Sequence, residues 1–367
     1  MKKSLVALAA LAATGLASAQ SSVTLFGIVD ATLAHGSVSG GNSKTQLTNS
    51  GYNSSRLGFR GTEDLGGGMA ASFWLEAGVN NDDGSGAATN TNNQATGGAV
   101  AGIGGGQGLT FNRRSTVSLS GNWGEVRLGR DYTPQFWNLT VFGPFGTNGV
   151  GTTQTMNSSL GGPVKVRASN SVGYFLPSNL GGFYGQVQYY MGENVSNATS
   201  GTSNIKKDGT GWAGRVGYGS GPFNVALAAS STDYATGDIS TWNLGGQWDF
   251  GVAKLMGHWS EDKVKSVVPG VGDTKGKGWL IGGLVPVGAG EIRIAYSTYK
   301  IDNAVGLDPR SNKWALGYVH NLSKRTALYA TYAHVNNKDG AAQALNGATG
   351  AANRNSTGYD LGIRHSF

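Results

Sequence analysis

The sequence predicts an all-β chain, a sixteen-stranded antiparallel transmembrane β-barrel, and three observations predict it. Apolar residues alternate with small or polar ones at a two-residue period from end to end. Each alternating run lasts about ten residues, the length of a tilted strand crossing a bilayer. The connections alternate between tight turns and long polar loops, as they do in an up-and-down barrel. No helical periodicity accompanies these runs, and after residue 19 no stretch is apolar enough to cross a bilayer as a helix. A membrane-inserted chain of this kind has to be a barrel, because only helices and closed barrels satisfy their backbone polar groups in hydrocarbon.

The N-terminus sets the compartment. Met1-Lys2-Lys3 is positively charged, Ser4 to Leu16 is apolar, and Ala17-Ser18-Ala19 has the small-residue pattern of a cleavage site. The apolar part is shorter than the ~20 residues of a membrane anchor. Residues 1–19 therefore read as a signal peptide cleaved near Ala19, and residues 20–367 as one barrel domain. Cleavage removes two positive charges from a formal net charge of +7. The absence of cysteine excludes disulfides and thiolate metal sites. The 62 glycines show no collagen period, and 10% aromatic residues argue against disorder. Export together with the barrel pattern points to the outer membrane of a Gram-negative bacterium.

Taken in order, the first strand alternates Val23, Leu25, Gly27, Val29 and Ala31 with Thr24, Phe26, Ile28, Asp30 and Thr32. On the second, Leu57 and Phe59 face lipid, so Arg56 and Arg60 face the lumen. On the third, Phe73 and Leu75 face out, so Trp74 and Glu76 face in. On the fourth, Val117 and Leu119 send Arg114 inward and leave Arg113 at the external rim. The fifth ends near Arg130, which shares the outward parity of Leu128. On the sixth, Val172, Tyr174 and Leu176 put Arg167 in lumenal parity. Later runs include "FYGQVQYYMG", "GWAGRVGYGS", "WNLGGQWDF", "KGWLIGGLVPVG", "EIRIAYSTYK" and "ALYATYAHV". In the last, "STGYDLGIRHSF", Tyr359, Leu361, Ile363 and Phe367 face lipid, and Phe367 falls at the periplasmic rim. Tight turns such as "EDLGGG", "GNWG", "GSGP" and "VGAG" separate long loops, the largest near 80–112 and 131–166.

Five stretches carry a family resemblance: "SSVTLFGIVDA", "SRLGFRGTEDLGGGMAASFWLEAG", "FNRRSTVSLSGNWGEVRLGRDYTP", "NSVGYFLP" and the terminal "GYDLGIRHSF". They lie in order along the mature chain, and together they resemble the Gram-negative general porins, in particular the trimeric β-proteobacterial type. The resemblance implies a homotrimer of sixteen-stranded barrels in outer-membrane lipid and lipopolysaccharide. It also implies a third external loop, about 131–166, folded inward to narrow a water-filled channel for small hydrophilic solutes and ions. By matching motif, Arg56, Arg114 and Arg167 are its constriction arginines, with Arg60 ranked behind them. Arg130 is in the position that meets the second loop of a neighbouring subunit, with Asp82 or Asp83 as partner. A rim arginine held by local loops is the alternative.

The family often sets carboxylates on the inward loop, around a Pro-Glu-Phe-Gly turn. Here the turn reads Gly143-Pro144-Phe145-Gly146, and Tyr132 through Arg167 contains no Asp or Glu, while Lys165 adds a positive charge. Glu76 is the one acid that parity places beside the arginines. A narrow basic constriction attracts anions, so small anionic or neutral solutes are the expected cargo. A weakly selective pore, in which salt screening over roughly 8 Å removes the bias, is the plainer alternative.

Other classes fare less well. The histidines His35, His258, His320, His334 and His365 are scattered, and no G-x-S-x-G elbow occurs, so no enzyme is expected. The glycine run at 102–108 lacks the context of a phosphate loop. No cofactor is expected. A structural calcium on Asp82-Asp83 or Glu261-Asp262 lacks supporting ligand spacing, and nothing points to nucleic acid. A substrate-specific channel and an adhesive or structural barrel remain the alternatives; on the early strands only Phe26 and Trp74 supply lumenal aromatics for a stacking path.

Overall fold

The computed structural model describes residues 22–90, 92–94, 108–200 and 203–367. The leader and most of the 102–108 glycine run lie outside them. Sixteen strands form one closed antiparallel barrel. They are β1 (Ser22–Val38), β2 (Arg56–Gly66), β3 (Met69–Asn80), β4 (Arg114–Gly121), β5 (Gly124–Tyr132), β6 (Arg167–Phe175), β7 (Phe183–Tyr190) and β8 (Gly211–Ser220). The second half is β9 (Phe223–Thr232), β10 (Ile239–Asp249), β11 (Lys254–Val264), β12 (Thr274–Val287), β13 (Gly290–Asp302), β14 (Arg310–Asn321), β15 (Thr326–Lys338) and β16 (Ser356–Ser366). Short strands Ser43–Asn49 and Ser85–Gly86 extend the sheet at the long-loop end.

Closure is made by β1, whose Ile28 to Val38 pair with β16 while its Ser22 to Ile28 pair with β2. The ladder runs to the last residue, because Gly27 and Phe367 exchange both backbone hydrogen bonds at 3.1 Å. The Phe367 ring lies against Gly27: a Cβ there would stand 2.4 Å from the ring. Phe367 is thus half-exposed on the outer surface, beside Tyr359, Leu361 and Ile363, as the alternation requires.

The wall is sorted by parity. Outward positions are apolar and exposed, among them Leu25, Val117, Leu128, Val187, Leu227, Ile294 and Leu316. Inward positions are small or polar and buried, among them Asp30, Thr32, Asn243, Ser260, Ala315 and Asp360. Water-filled lumen on one side and hydrocarbon on the other reverse the usual arrangement of a globular core.

Residues between β5 and β6 include two short helices, α1 (Pro134–Val141) and α2 (Gln154–Ser158). Neither is long enough to show a helical period in the sequence. Proline at the start suits α1, since its missing N–H is one that the helix could not bond, and the Thr153 hydroxyl caps α2 by accepting from the Thr155 amide. This segment hydrogen-bonds to inward residues across the barrel. Asn138 donates to the Ala226 carbonyl on β9 at 2.9 Å, and the Gln154 amide to Ser297 on β13 at 3.0 Å. Val150 N–H donates to Asp360 on β16 at 2.8 Å, and Leu160 N–H to Asp262 on β11 at 3.0 Å. The 143–146 turn packs on the same far wall. Phe145 is buried with Val150, Leu280, Ala295, Ala315 and Ala333, and Pro144 rests on Gly282, where a Cβ would stand 2.8 Å from its Cγ.

Asp262 also accepts from Ser159 at 2.8 Å, Thr241 at 2.7 Å and the Tyr299 hydroxyl. Its neighbour Glu261 faces out of the barrel, where Trp242 and Trp259 donate to it at 3.3 Å each. The two carboxylates stand on opposite faces of one strand, so they cannot share a calcium ion. Asp262→Ala removes an acceptor from several buried donors, each costing roughly 1–3 kcal/mol when orphaned. We expect the temperature at which the barrel loses its compact mobility in SDS gels to fall, and the 143–166 segment to become protease-sensitive before the strands do.

Candidate functional site: arginines on the lumen wall

Arg56 ends the tight approach from the first loop into β2 and donates through Nε to the Ser54 carbonyl at 2.9 Å. It meets Glu76 on β3 at 3.4 Å, and Arg113 meets the same carboxylate oxygen at 2.6 Å. Trp74 donates to the other Glu76 oxygen at 3.0 Å. The Glu76 side chain is 3% exposed, whereas those of Arg56 and Arg113 are 23% and 11% exposed. The acid is covered by the groups it holds, and the guanidiniums are what solvent meets.

The Tyr132 hydroxyl ties two more together, accepting from Arg113 at 2.6 Å and Arg167 at 3.0 Å. Arg167 also lies over the Tyr132 ring, 4.4 Å from its centroid. Arg114 bonds Thr116 at 3.2 Å, approaches Asp131 at 3.6 Å and stacks on Trp74 at 4.5 Å. Arg60 lies 5.1 Å from Trp74 and 5.3 Å from Phe26, one layer away. Aromatic faces attract cations without cancelling their charge.

A cavity of about 630 Å³ opens in front of this wall. Its charged lining comprises Arg56, Arg113, Arg114, Arg167, Arg293 and Glu76, and Phe145, Gly146 and Trp137 line it from the segment between β5 and β6. Arg293 comes from β13, held by Glu291 at 2.7 Å and by the Tyr52 hydroxyl at 2.9 Å. Arg60 and Pro144 are not in the lining; Pro144 supports the turn from behind.

Three placements differ from the sequence expectation. Arg113 does not stand at the external rim: it lies just before β4, where strand parity does not apply, and its side chain turns to Glu76 and Tyr132. Glu76 is not the only acid beside the cluster, because Asp131 binds Arg127 at 2.6 Å and reaches Arg114. Counting parity from Val172 to Arg167 also crosses a register shift between β5 and β6, with Asn170 at φ +53°. Arg167 belongs to the cluster through Tyr132, not through parity. Arg293 and Tyr52 were missed, although Ile292 and Ile294 outward would have turned Arg293 inward.

Arg130 is held within its own chain, donating to the carbonyls of Asn112 at 2.6 Å and Asn90 at 3.1 Å and to Ser169 at 2.7 Å. Asp82 accepts from Asn49 at 2.7 Å. Asp83 accepts from the Ser85 amide at 2.8 Å and hydroxyl at 2.7 Å, which hold its carboxyl below the usual aspartate range.

Residues 5–340 match the Gram-negative porin family. The chain belongs to that family. This porin is 41% identical over 382 aligned positions to outer membrane porin protein 32 of Delftia acidovorans, with both chains fully covered. It is 30% identical over 428 positions to an outer membrane porin of Bordetella pertussis, again over both full lengths. Its structure matches that of an anion-selective porin from Comamonas acidovorans with a TM-score of 0.80 and 38% identity, covering 95% of this chain and 100% of that one. OmpT of Vibrio cholerae in its trimer form matches at a TM-score of 0.66 and 14% identity, a likeness of fold alone, covering 95% of this porin and 99% of OmpT. Family and fold place the chain in the outer membrane as a channel.

Glu76→Gln removes the carboxylate that offsets Arg56 and Arg113 while keeping the shape of the side chain. In planar bilayers under a KCl gradient, the zero-current potential of this variant should move further toward the chloride limit, and its unfolding temperature should fall because two guanidiniums lose their shared counter-charge.

Proposed function

We propose that this porin is a general diffusion channel with a preference for small anions, and that the arginine wall is its constriction. One observation carries the reading: five arginines and a single, covered carboxylate are the charged lining of the cavity. Field lines in a narrow passage with low-dielectric walls are focused rather than screened, so the unbalanced charge raises the local concentration of anions and lowers that of cations. The anion selectivity named for the Comamonas relative supports the same sign. Arg56, Arg114 and Arg167 set the field, Glu76 and Asp131 trim it, and Arg60 extends it by one layer.

The segment 131–166 narrows the passage opposite that wall. Its tip, Pro144 to Gly146, is pinned by packing on Gly282 and the small residues beside it rather than by charge, so it adds no negative counterpart to the field. The chain is made with a leader, 1–19, and works as a homotrimer in which Arg130, Asp82 and Asp83 lie near the neighbouring subunit. Outer-membrane lipid and lipopolysaccharide surround the assembly, and no catalytic role is assigned.

The zero-current potential of detergent-extracted trimers in a KCl gradient tests the reading. Chloride preference is expected, reduced in Arg56→Ala and Arg114→Ala and less affected in Arg60→Ala. A cation preference would overturn the role given to the arginines, and folded protein without conductance would favour an adhesive or structural barrel.

A further inference from the structure

The arginine wall faces a tryptophan that the passage of simple ions does not use. Trp137, on α1, lines the cavity and is partly exposed to it. The packing of α1 is met by its neighbours Phe136 and Leu139, which are buried. A large ring left open to a water-filled passage forgoes the stabilisation that burial would give it, so packing does not account for Trp137.

The ring belongs to an aromatic cluster that reaches the arginines. Tyr132 stands at its centre, its centroid 5.2 Å from that of Phe136 with the planes at 9°, and 5.1 Å from that of Trp137 with the planes at 55°. The Arg167 guanidinium lies 4.4 Å from the same Tyr132 centroid. Tyr132 already carries Phe136 and Arg167, so Trp137 is the ring left to meet a solute.

Arg167 is also the guanidinium without an acid. The other four arginines of the cavity lining each meet a carboxylate. Among the described residues Arg167 makes no ion pair: it donates to the Tyr132 hydroxyl at 3.0 Å, and its buried Nε has no hydrogen-bond partner. A carboxylate bonds a guanidinium through two parallel N–H donors, a strong and directional contact. The cavity in front, about 630 Å³, is of the size that holds a small ligand. Tyr132 sets the separation of Arg167 and Trp137 at the span of one small molecule.

We infer that the constriction holds a binding site for single-ring aromatic carboxylates, with the carboxylate on Arg167 and the ring stacked on Trp137. The inference rests on the anion-preferring reading of the pore and names the solutes that the pore selects among anions. Charge alone treats benzoate and a saturated acid of the same charge alike. Plain apolar contact favours the saturated ring, which is the more apolar of the two. Only a ring-on-ring contact, which contributes beyond the area it buries, favours the aromatic acid. A benzylammonium ion has the ring but the wrong charge, and the arginines repel it. Such a site is weak enough to release what it binds, as a conducting channel requires.

Single-channel recordings of the full-length, detergent-extracted porin in KCl, with benzoate or cyclohexanecarboxylate added to one side, test it. Benzoate should interrupt the chloride current at a half-blocking concentration about three- to tenfold below that of cyclohexanecarboxylate, and benzylammonium should not block. Trp137→Leu, apolar but without a ring, should bring the two acids level, whereas Trp137→Phe should keep them apart. Arg167→Gln should weaken both acids together. Equal block by the two acids in the wild type overturns the site, as does a difference that survives in Trp137→Leu. The wild-type comparison decides the matter even where a variant does not fold. The zero-current potential of the same channels separates the two readings. Chloride preference without discrimination between the acids removes this site and leaves the anion-selective pore. Discrimination in favour of benzoate without chloride preference removes that reading of the pore and leaves the aromatic site.

Discussion

Everything in this molecule depends on one constraint: a backbone amide facing hydrocarbon has no water to bond, so the sheet can have no edge. The first and last strands must therefore meet, and they do so to the final residue, where Gly27 and Phe367 exchange amide hydrogen bonds. The contact is close enough that glycine is the residue that leaves room for the terminal ring. Once closed, the sheet divides space into lipid and lumen, and strand parity assigns every side chain to one or the other.

The same division explains how the lumen carries so much positive charge. In a globular interior, guanidiniums are held chiefly by carboxylates, which cancel them. Here Glu76 and Asp131 hold some of the charge, but ring faces do much of the positioning: Arg114 on Trp74, Arg113 and Arg167 on Tyr132, and Arg293 and Arg364 on Tyr52. A ring fixes a guanidinium with about 0.5–2 kcal/mol of attraction and takes away none of its net charge. The segment between β5 and β6 holds no acids, and its tip is seated by apolar contacts against alanines and glycines of the barrel wall.

Most of the architecture was legible because parity is strict where both faces of a strand have a defined medium. Strand number, closure, the inward aim of Arg56 and Arg114 and the outward aim of Leu361 and Phe367 all follow from alternating residues. What was hidden lies where alternation stops. Arg113 precedes its strand, Tyr132 stands where one ends, and the register shift at Asn170 changes what parity means for Arg167. Asp131 was passed over because it falls one residue before the acid-free segment. The anchoring of residues 133–166 by Asp262 and Asp360 depends on pairs 102 and 210 positions apart, for which the sequence holds no local signal.

The seam between β1 and β16 also bears on how the molecule is made. The strand that must be covered first in the chain is covered last in time, by the segment that emerges last. Until β16 meets β1, no pairing of near neighbours can shut the sheet, and the open ribbon presents two unpaired margins, each a template for another chain. Joining sequence positions so far apart is an intrinsically slow step, and the open ribbon is the species most exposed to aggregation. The barrel is thus a structure in which the pairing that closes the sheet joins the strands most distant in the chain.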